Sequence, residues 1–334
     1  MRLLYINMKF KKIFLFVLLF IFIISLVYLY NQIFIQKEQF ENRIIVSTLD
    51  NKAGFYSQLF FLINHHIYCK ENKQNFKIHS EKWNYKSKEG WTDYFKPIEL
   101  TFYVSNDEKV YGHNNIIENK YSIETYKNAI PEIYIYNEFV INNIANIKQK
   151  LLLIHYDAIY IRRGDKLVDE INISEEKKYI ELLLQKNPNC KTIFLQTDDY
   201  TCFINLQKYI KDNALNIRLV TTCNENSVGA IANKYYKNNI DKSIKENSEY
   251  ISSIRDKLQN TKSIEDMNSQ EIYEHTLELL TGIDICIHSN ICICDYGSNV
   301  SRFIKLAHDN TNNVFDINNT IIDFSKNICP AFSF

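Results

Sequence analysis

Charge is missing from one long stretch of this chain. Between Ile13 and Gln36 no residue is ionisable as an acid or base of the Asp, Glu, Lys or Arg type, and Ile13 to Leu29 is almost wholly apolar. A bilayer core takes ~20 such residues in a helix, so the pattern predicts a transmembrane anchor over 13–36, with Tyr28 and Tyr30 in the interfacial belt. A signal peptide would have an apolar core of roughly 7–15 residues and then a small-residue cleavage site; this run ends in Tyr28, Tyr30 and Asn31. Arg2, Lys9, Lys11 and Lys12 precede the segment, while Lys37, Glu38, Glu41 and Arg43 follow it. The positive-inside rule keeps a cytosolic tail at 1–12 and sends the bulk of the chain across. The expected topology is single-pass type II, with the large domain in a Golgi-like lumen of the secretory pathway.

Beyond a polar stem, short apolar runs alternate with amphipathic stretches. Strands are expected at Ile44 to Leu49, Phe76 to His79, Ala158 to Arg162, Thr192 to Gln196, Ile217 to Thr221, Ile283 to Ile287 and Ile291 to Cys294. Helical spacing covers Ser57 to Tyr68, much of Ile116 to Lys150, Ser174 to Gln185, Cys202 to Lys211, Gln270 to Leu280 and Val300 to His308. Strands alternating with helices predict an α/β fold built on mostly parallel, doubly wound sheets. The expected organisation is an N-terminal lobe at 37–150, a C-terminal lobe at 151–310 and a tail at 311–334.

Composition narrows the function classes. Lys+Arg 39 against Asp+Glu 39 leaves no net charge, which speaks against a nucleic-acid partner. Eight cysteines show no C-x-x-C pair; Cys292 and Cys294 alternate with isoleucine, so buried thiols are a better expectation than a metal site, and disulfide connectivity cannot be read from sequence. In the expected topology Asn172, Asn299 and Asn318 are sequons.

The densest chemistry is Ile159-Tyr160-Ile161-Arg162-Arg163-Gly164-Asp165-Lys166. A strand-like run ends in two guanidiniums, a carboxylate and an ammonium, a cluster too costly to bury unpaired. It belongs on a loop at the carboxyl end of a strand, where open α/β sheets bind ligands. Paired arginines there suit a pyrophosphate, because each fork holds phosphate oxygens and stays charged. Ser298 opens a helix, another place for a phosphate. Asp198-Asp199 after the next strand has three readings: part of the site, a divalent-metal pair, or a turn with a helix N-cap. Arg163-Gly164-Asp165 is also an RGD tripeptide, the basis of an alternative reading as a non-catalytic, membrane-anchored adhesion or sugar-binding protein.

Tyr160 to Lys166 resembles the H-x-R-R-x-D-K motif of α1,6-fucosyltransferases, with related forms in α1,2- and protein O-fucosyltransferases. Gly54 with Ser57-Gln58-Leu59, Trp83-Asn84-Tyr85 with Gly90-Trp91 and Phe95-Lys96-Pro97, Thr197-Asp198-Asp199, and Ser298-Asn299-Val300 with Arg302 follow in that family's order over roughly residues 45–310. The resemblance implies a GT-B fold of two Rossmann-type lobes with a cleft between them. It implies an inverting glycosyltransferase using GDP-fucose, a glycan or glycoprotein acceptor, and neither metal nor cofactor; protein O-fucosylation or another GDP-sugar is the alternative. By the same resemblance Arg162 is the essential catalytic arginine and Arg163 its partner on the donor phosphates. Asp165 and Lys166 complete the charged loop, Glu170 is the base and Tyr179 supports activity. Gly54, Tyr85, Asp198, Asp199, Ser298 and Asn299 bind the donor. Glu274, Glu278 and Asp284 are the candidates for reading guanine. Three positions depart from the pattern: Tyr160 stands where the motif has histidine, Tyr56 near an expected second glycine, and Asn299 where glutamine is usual.

Overall fold

The structure is a computed structural model, and it describes residues 16–31, 44–50, 53–102, 104, 107–111, 121–164, 174–231 and 261–319. The described part of the apolar N-terminal run is helix α1, residues 16–31, whose large side chains from Phe16 to Tyr30 are exposed on all sides. Among the described residues no helix is long and apolar enough to cross a membrane; the remainder of the 13–36 segment lies outside them.

Two sheets follow. The first has the order β3-β2-β1-β4, with β1 at Ile44–Thr48, β2 at Asn75–His79, β3 at Glu99–Leu100 and β4 at Glu108–Tyr111. β1 is parallel to both β2 and β4, and only β3 runs antiparallel. Helix α2, Phe55–Glu71, crosses from β1 to β2; it is buried on nearly every face. Helices α3, Ile123–Ile133, and α4, Glu138–Lys150, complete the lobe, each started by a side-chain cap from Ser122 and Asn137. The aromatic stretch before β3 has little regular structure but is firmly ordered. The Asp93 carboxylate accepts the backbone N–H groups of Ser87, Lys88, Glu89 and Gly90, satisfying donors that a loop would otherwise leave to water.

The second sheet is all parallel with order β7-β6-β5-β8-β9. Its elements are β5 (Asp157–Ile161), α5 (Glu176–Lys186), β6 (Thr192–Thr197), α6 (Tyr200–Asp212), β7 (Arg218–Thr221), α7 (Ser269–Ile287), β8 (Cys292–Cys294), α8 (Asn299–Ala307) and β9 (Val314–Asp316). After β7 the chain returns through α7 to the other side of β5. The order therefore reverses between β5 and β8, and such a switch point opens a crevice at the strands' carboxyl ends. β9 carries this sheet past residue 310, into the segment expected to be tail. Ile283 to Ile287, expected as a strand, is the last turn and a half of α7. That helix end is buried all round, and a short apolar run with no polar face carries no period to separate strand from helix.

β5 shows how the layers are made. Ala158 and Tyr160 belong to a core that reaches across both lobes, while Ile159 and Ile161 belong to a second cluster under α5 and α6. All five β5 residues are buried, as a central parallel strand requires. The lobes meet along α7 and α8. The hydroxyls of Tyr56, Tyr134 and Tyr136 form a chain of 2.8 Å links that ends 3.3 Å from the Leu280 carbonyl. Asn143 donates to Thr281 at 2.8 Å, Asn299 donates to Ser57 at 2.6 Å, and Tyr94 stacks on Tyr273. Burial raises all three tyrosine hydroxyls well above their ordinary pKa, so they stay neutral donors and acceptors. The seven described cysteines are buried thiols; Cys329 lies outside the described residues.

At the end of α7, His288 sits 3.4 Å from the Asp284 carboxylate and 3.9 Å from Asp309. Hydrogen bonding to Asp284 pushes its pKa up to about 9. A raised histidine stabilises the fold fully below the unfolded value of about 6.5, and that stabilisation is lost as pH rises through the folded one. We expect His288→Gln to lower Tm by about 2 °C near pH 6, and the gap to wild type to close towards pH 10. Thermal scans across that range check this.

Candidate active site

A cavity of about 700 Å³ opens at the carboxyl ends of β5, β6 and β7. Tyr160 and Arg162 reach it from β5, Gln196 to Asp198 from β6, and Cys223 to Ile231 from the loop after β7; Tyr85 comes from the first lobe and His275, Glu278 and Leu279 from α7. It therefore lies between the two lobes.

Asp198 holds this end of the sheet together. One carboxylate oxygen accepts the Arg163 backbone N–H at 2.7 Å and the other the Ala230 N–H at 3.1 Å. The loop after β5 and the loop after β7 are thereby drawn onto one side chain. They come close enough that a Cβ on Gly164 would lie 2.3 Å from the Ala230 carbonyl oxygen, and Gly164 has φ +63. Only glycine takes that backbone conformation in that space without strain.

The twin arginines separate. Arg162 lines the cavity. Arg163 does not: its side chain is 3% exposed and turns to the start of α5, where it donates to Glu176 at 2.8 Å and to the Ser174 carbonyl at 2.9 Å. Its expected place on the donor phosphates is corrected to a buried ion pair. A strand end sends successive side chains to opposite faces, which is why adjacent arginines diverge. The same burial removes the RGD reading, since Arg163 is not presented to a partner.

Tyr160 lines the cavity with Arg162, and burial raises its hydroxyl well above the ordinary tyrosine pKa. Ser298 is the N-cap of α8 and accepts the Val300 N–H at 3.2 Å. Asn299 instead joins the lobes through Ser57 and accepts from Arg302 at 3.2 Å. With that amide engaged and Ser301 fully buried, the Asn299 sequon is closed, whereas Asn318 is exposed.

Helix α7 contributes a cavity face of which the sequence had named only Glu278. His275, Glu278 and Leu279 stand at i, i+3 and i+4, one face of a helix, and all three line the cavity. Burial, aided by the Arg162 charge, lowers His275 to about 4, so it is neutral. Burial, with the Asp198 carboxylate nearby, raises Glu278 to about 7. Of the three acidic candidates for reading a base, Glu278 is the one in the cavity. Glu274 is exposed and accepts from Gln270, and Asp284 faces His288.

The other expected residues fall as follows. Tyr85 lines the cavity, and its hydroxyl accepts the Phe55 N–H at 3.0 Å. Gly54, the N-cap position of α2, has no atom within 4 Å of a would-be Cβ; the turn leaves open space there. Asp199 is fully buried and caps α6 by accepting the Thr201 N–H at 2.9 Å, which is the turn-and-cap reading. Tyr179, on α5, is 2% exposed in the core and does not line the cavity. Asp165, Lys166 and Glu170 lie outside the described residues. Among the described residues no group of three or more His, Cys, Asp or Glu could hold a metal ion.

No protein-family model and no curated protein sequence matches the chain. Solved structures do. A NodZ α-1,6-fucosyltransferase crystal soaked with GDP-fucose aligns over 83% of this chain and 96% of that one, with 10% identity and a TM-score of 0.53. Fucosyltransferase NodZ from Bradyrhizobium aligns over the same shares with 10% identity and a TM-score of 0.52. At this identity the likeness establishes the fold: α/β with two mostly parallel sheets, the architecture of these fucosyltransferases and the one the motif resemblance implied.

Removing one member of a buried ion pair strands the other. Arg163→Met should cost about 3 kcal/mol, and Arg163→Met combined with Glu176→Leu should recover most of it while leaving nucleotide binding intact. Urea unfolding and calorimetric titration with GDP check both halves.

Proposed function

We propose that this chain is a glycosyltransferase that takes its sugar from GDP-fucose and passes it, with inversion, to a hydroxyl of a glycan or glycoprotein. The observation that carries this reading is Arg162: a permanent cation in a cavity at the carboxyl ends of parallel strands, on a fold shared with fucosyltransferases. Breaking the sugar–phosphate bond leaves charge on the diphosphate. A fixed guanidinium in a water-poor cleft stabilises that charge where water cannot. Ser298 caps the start of α8, and a helix start of that kind offers backbone N–H groups and a dipole that favour a phosphate.

The acceptor oxygen attacks the anomeric carbon opposite the departing phosphate and gives its proton to a carboxylate. The motif resemblance gives that role to Glu170, with Asp165 and Lys166 on the same loop. Glu278 is suited to guanine, because a carboxylate accepts the paired N–H groups of that base. Tyr85 closes the cavity from the first lobe. Nothing in this reading routes a step through a metal or a cofactor.

The apolar run over 13–36 supports a single-pass type II anchor in a lipid bilayer, with the catalytic lobes in a Golgi-like lumen. The large apolar and aromatic side chains of α1 are exposed, as an anchor's would be outside its bilayer.

Arg162→Ala should lower kcat/KM for GDP-fucose by about 10²–10³ while Tm stays within a few degrees. Near-normal transfer by that variant defeats the proposal. Glu278 gives a second test. If its carboxylate reads guanine, GDP affinity should fall as pH drops below about 7, because protonation removes the acceptor. Glu278→Gln should weaken GDP about 10-fold, flatten that pH dependence and raise Tm above pH 7, since a buried carboxylate is costly when charged. Titrations with GDP at pH 5.5, 7 and 8.5 read the first two effects, and thermal scans at the same pH values read the third.

A further inference from the structure

We infer that Gln196 reads the nucleotide base together with Glu278: its amide N–H groups donate to the ring carbonyl of guanine while the carboxylate accepts the neighbouring N–H groups, so the pair sets the preference for guanine over adenine. The inference rests on the donor reading above and deepens it. It concerns a buried amide just ahead of the Thr197-Asp198-Asp199 motif.

Gln196 is the fifth residue of β6 and pairs in register with Tyr160 of β5. Strand alternation sets it on the same face as Phe194. Phe194, Ala158 and Tyr160 belong to the core that α7 joins through Leu280 and Ile283. An apolar side chain at 196 would continue that row. The chain carries an amide there instead, 6% exposed, at the wall of the cavity. Its Oε1 accepts from the Thr222 hydroxyl at 3.5 Å, and among the described residues its Nε2 makes no hydrogen bond. A buried donor left unpaired is costly, and the cavity is where its partner can come from.

Helix α7 is shaped around this amide. A Cβ on Gly282 would overlap the Gln196 Oε1 and lie 2.8 Å from its Nε2. The amide therefore occupies the place of a side chain at position 282. Glycine is among the poorest residues for a helix interior, yet Gly282 lies in the buried part of one. It comes four residues after Glu278, so it is that residue's neighbour one turn on along the same face. The Gln196 amide and the Glu278 carboxylate thus stand within a turn of each other at the cavity wall, a donor next to an acceptor. Glu278 likewise makes no hydrogen bond among the described residues. Guanine presents the complement, an acceptor at O6 beside donors at N1 and N2. Adenine presents a donor at N6 and a lone pair at N1, so it turns the wrong group to each.

The test is calorimetric titration of the full chain with GDP, IDP and ADP, wild type against Gln196→Met and Glu278→Gln. Methionine keeps the length of the side chain and removes the donor. IDP keeps O6 and lacks the 2-amino group. We expect the preference for GDP over ADP to narrow about 10-fold in Gln196→Met with the ratio of GDP to IDP unchanged, and Glu278→Gln to narrow the ratio of GDP to IDP. A merely structural role for Gln196 would weaken GDP and ADP in parallel. That result overturns the inference, as does an unchanged GDP affinity or a wild-type chain that binds ADP as tightly as GDP. Should Gln196→Met not fold, Gly282→Ala takes the room of the amide while improving the helix, and must narrow the same GDP-to-ADP ratio. A wild-type chain that prefers GDP beside a Gln196→Met variant with the same preference would sink this inference alone. A wild-type chain that binds none of the three nucleotides would sink the donor reading with it.

Discussion

Asp198 carries the geometry on which the rest depends. A single carboxylate satisfies two backbone N–H groups from loops that follow different strands, β5 and β7. Backbone donors buried without partners would cost more than the loops could recover from packing, so the loops are committed to this approach. Gly164 is what makes the approach sterically possible. Together they define one wall of the cavity and fix where the chain leaves β5, and hence where Arg162 begins. An aspartate that looks like a ligand-binding residue in sequence thus acts mainly on the protein's own backbone.

The charged groups at this sheet end divide by the medium around them. Arg163 lies in the interior and needs Glu176; its charge is spent on local structure. Arg162 sits a residue earlier and lines the cavity, where its charge faces the space a ligand would fill. Glu278 and His275, one helical turn apart, sit in the same poorly hydrated space and shift in opposite directions from their ordinary values. Burial disfavours whichever form is charged. A site that keeps a costly carboxylate in a cavity sacrifices some stability for it, as functional sites commonly do.

Much of this was legible in the chain. Alternating apolar runs gave the α/β order, and the break from strand to charged loop at Ile161 located the site. What could not be read was direction. Nothing in the tandem Arg162-Arg163 says which guanidinium turns inward; that depends on Glu176 arriving from the next helix. His275 and Glu278 look like ordinary positions on an amphipathic helix, because the face of α7 they share is defined only by the sheet it crosses. Asp198 and Asp199 differ in role through one alternation of the backbone: the first reaches the loops and the second caps α6. Ile283 to Ile287 misled because a helix buried on every side has the same composition as a central strand. Asp93 gave no signal at all, since four backbone donors converge on it only once the turn exists.

The buried tyrosine chain between the lobes has a consequence for how such a fold diversifies. Two-lobed folds look modular, as though one half could be exchanged between relatives to change the ligand bound. Here Tyr56, Tyr134 and Tyr136 link to one another and end on a carbonyl of α7, and the shared core runs without a break from Phe60 to Phe303. A graft at this seam would leave phenols facing strangers and a wide aromatic surface wet. In this chain new specificity has to come from loops at the strand ends, because its halves are not interchangeable parts.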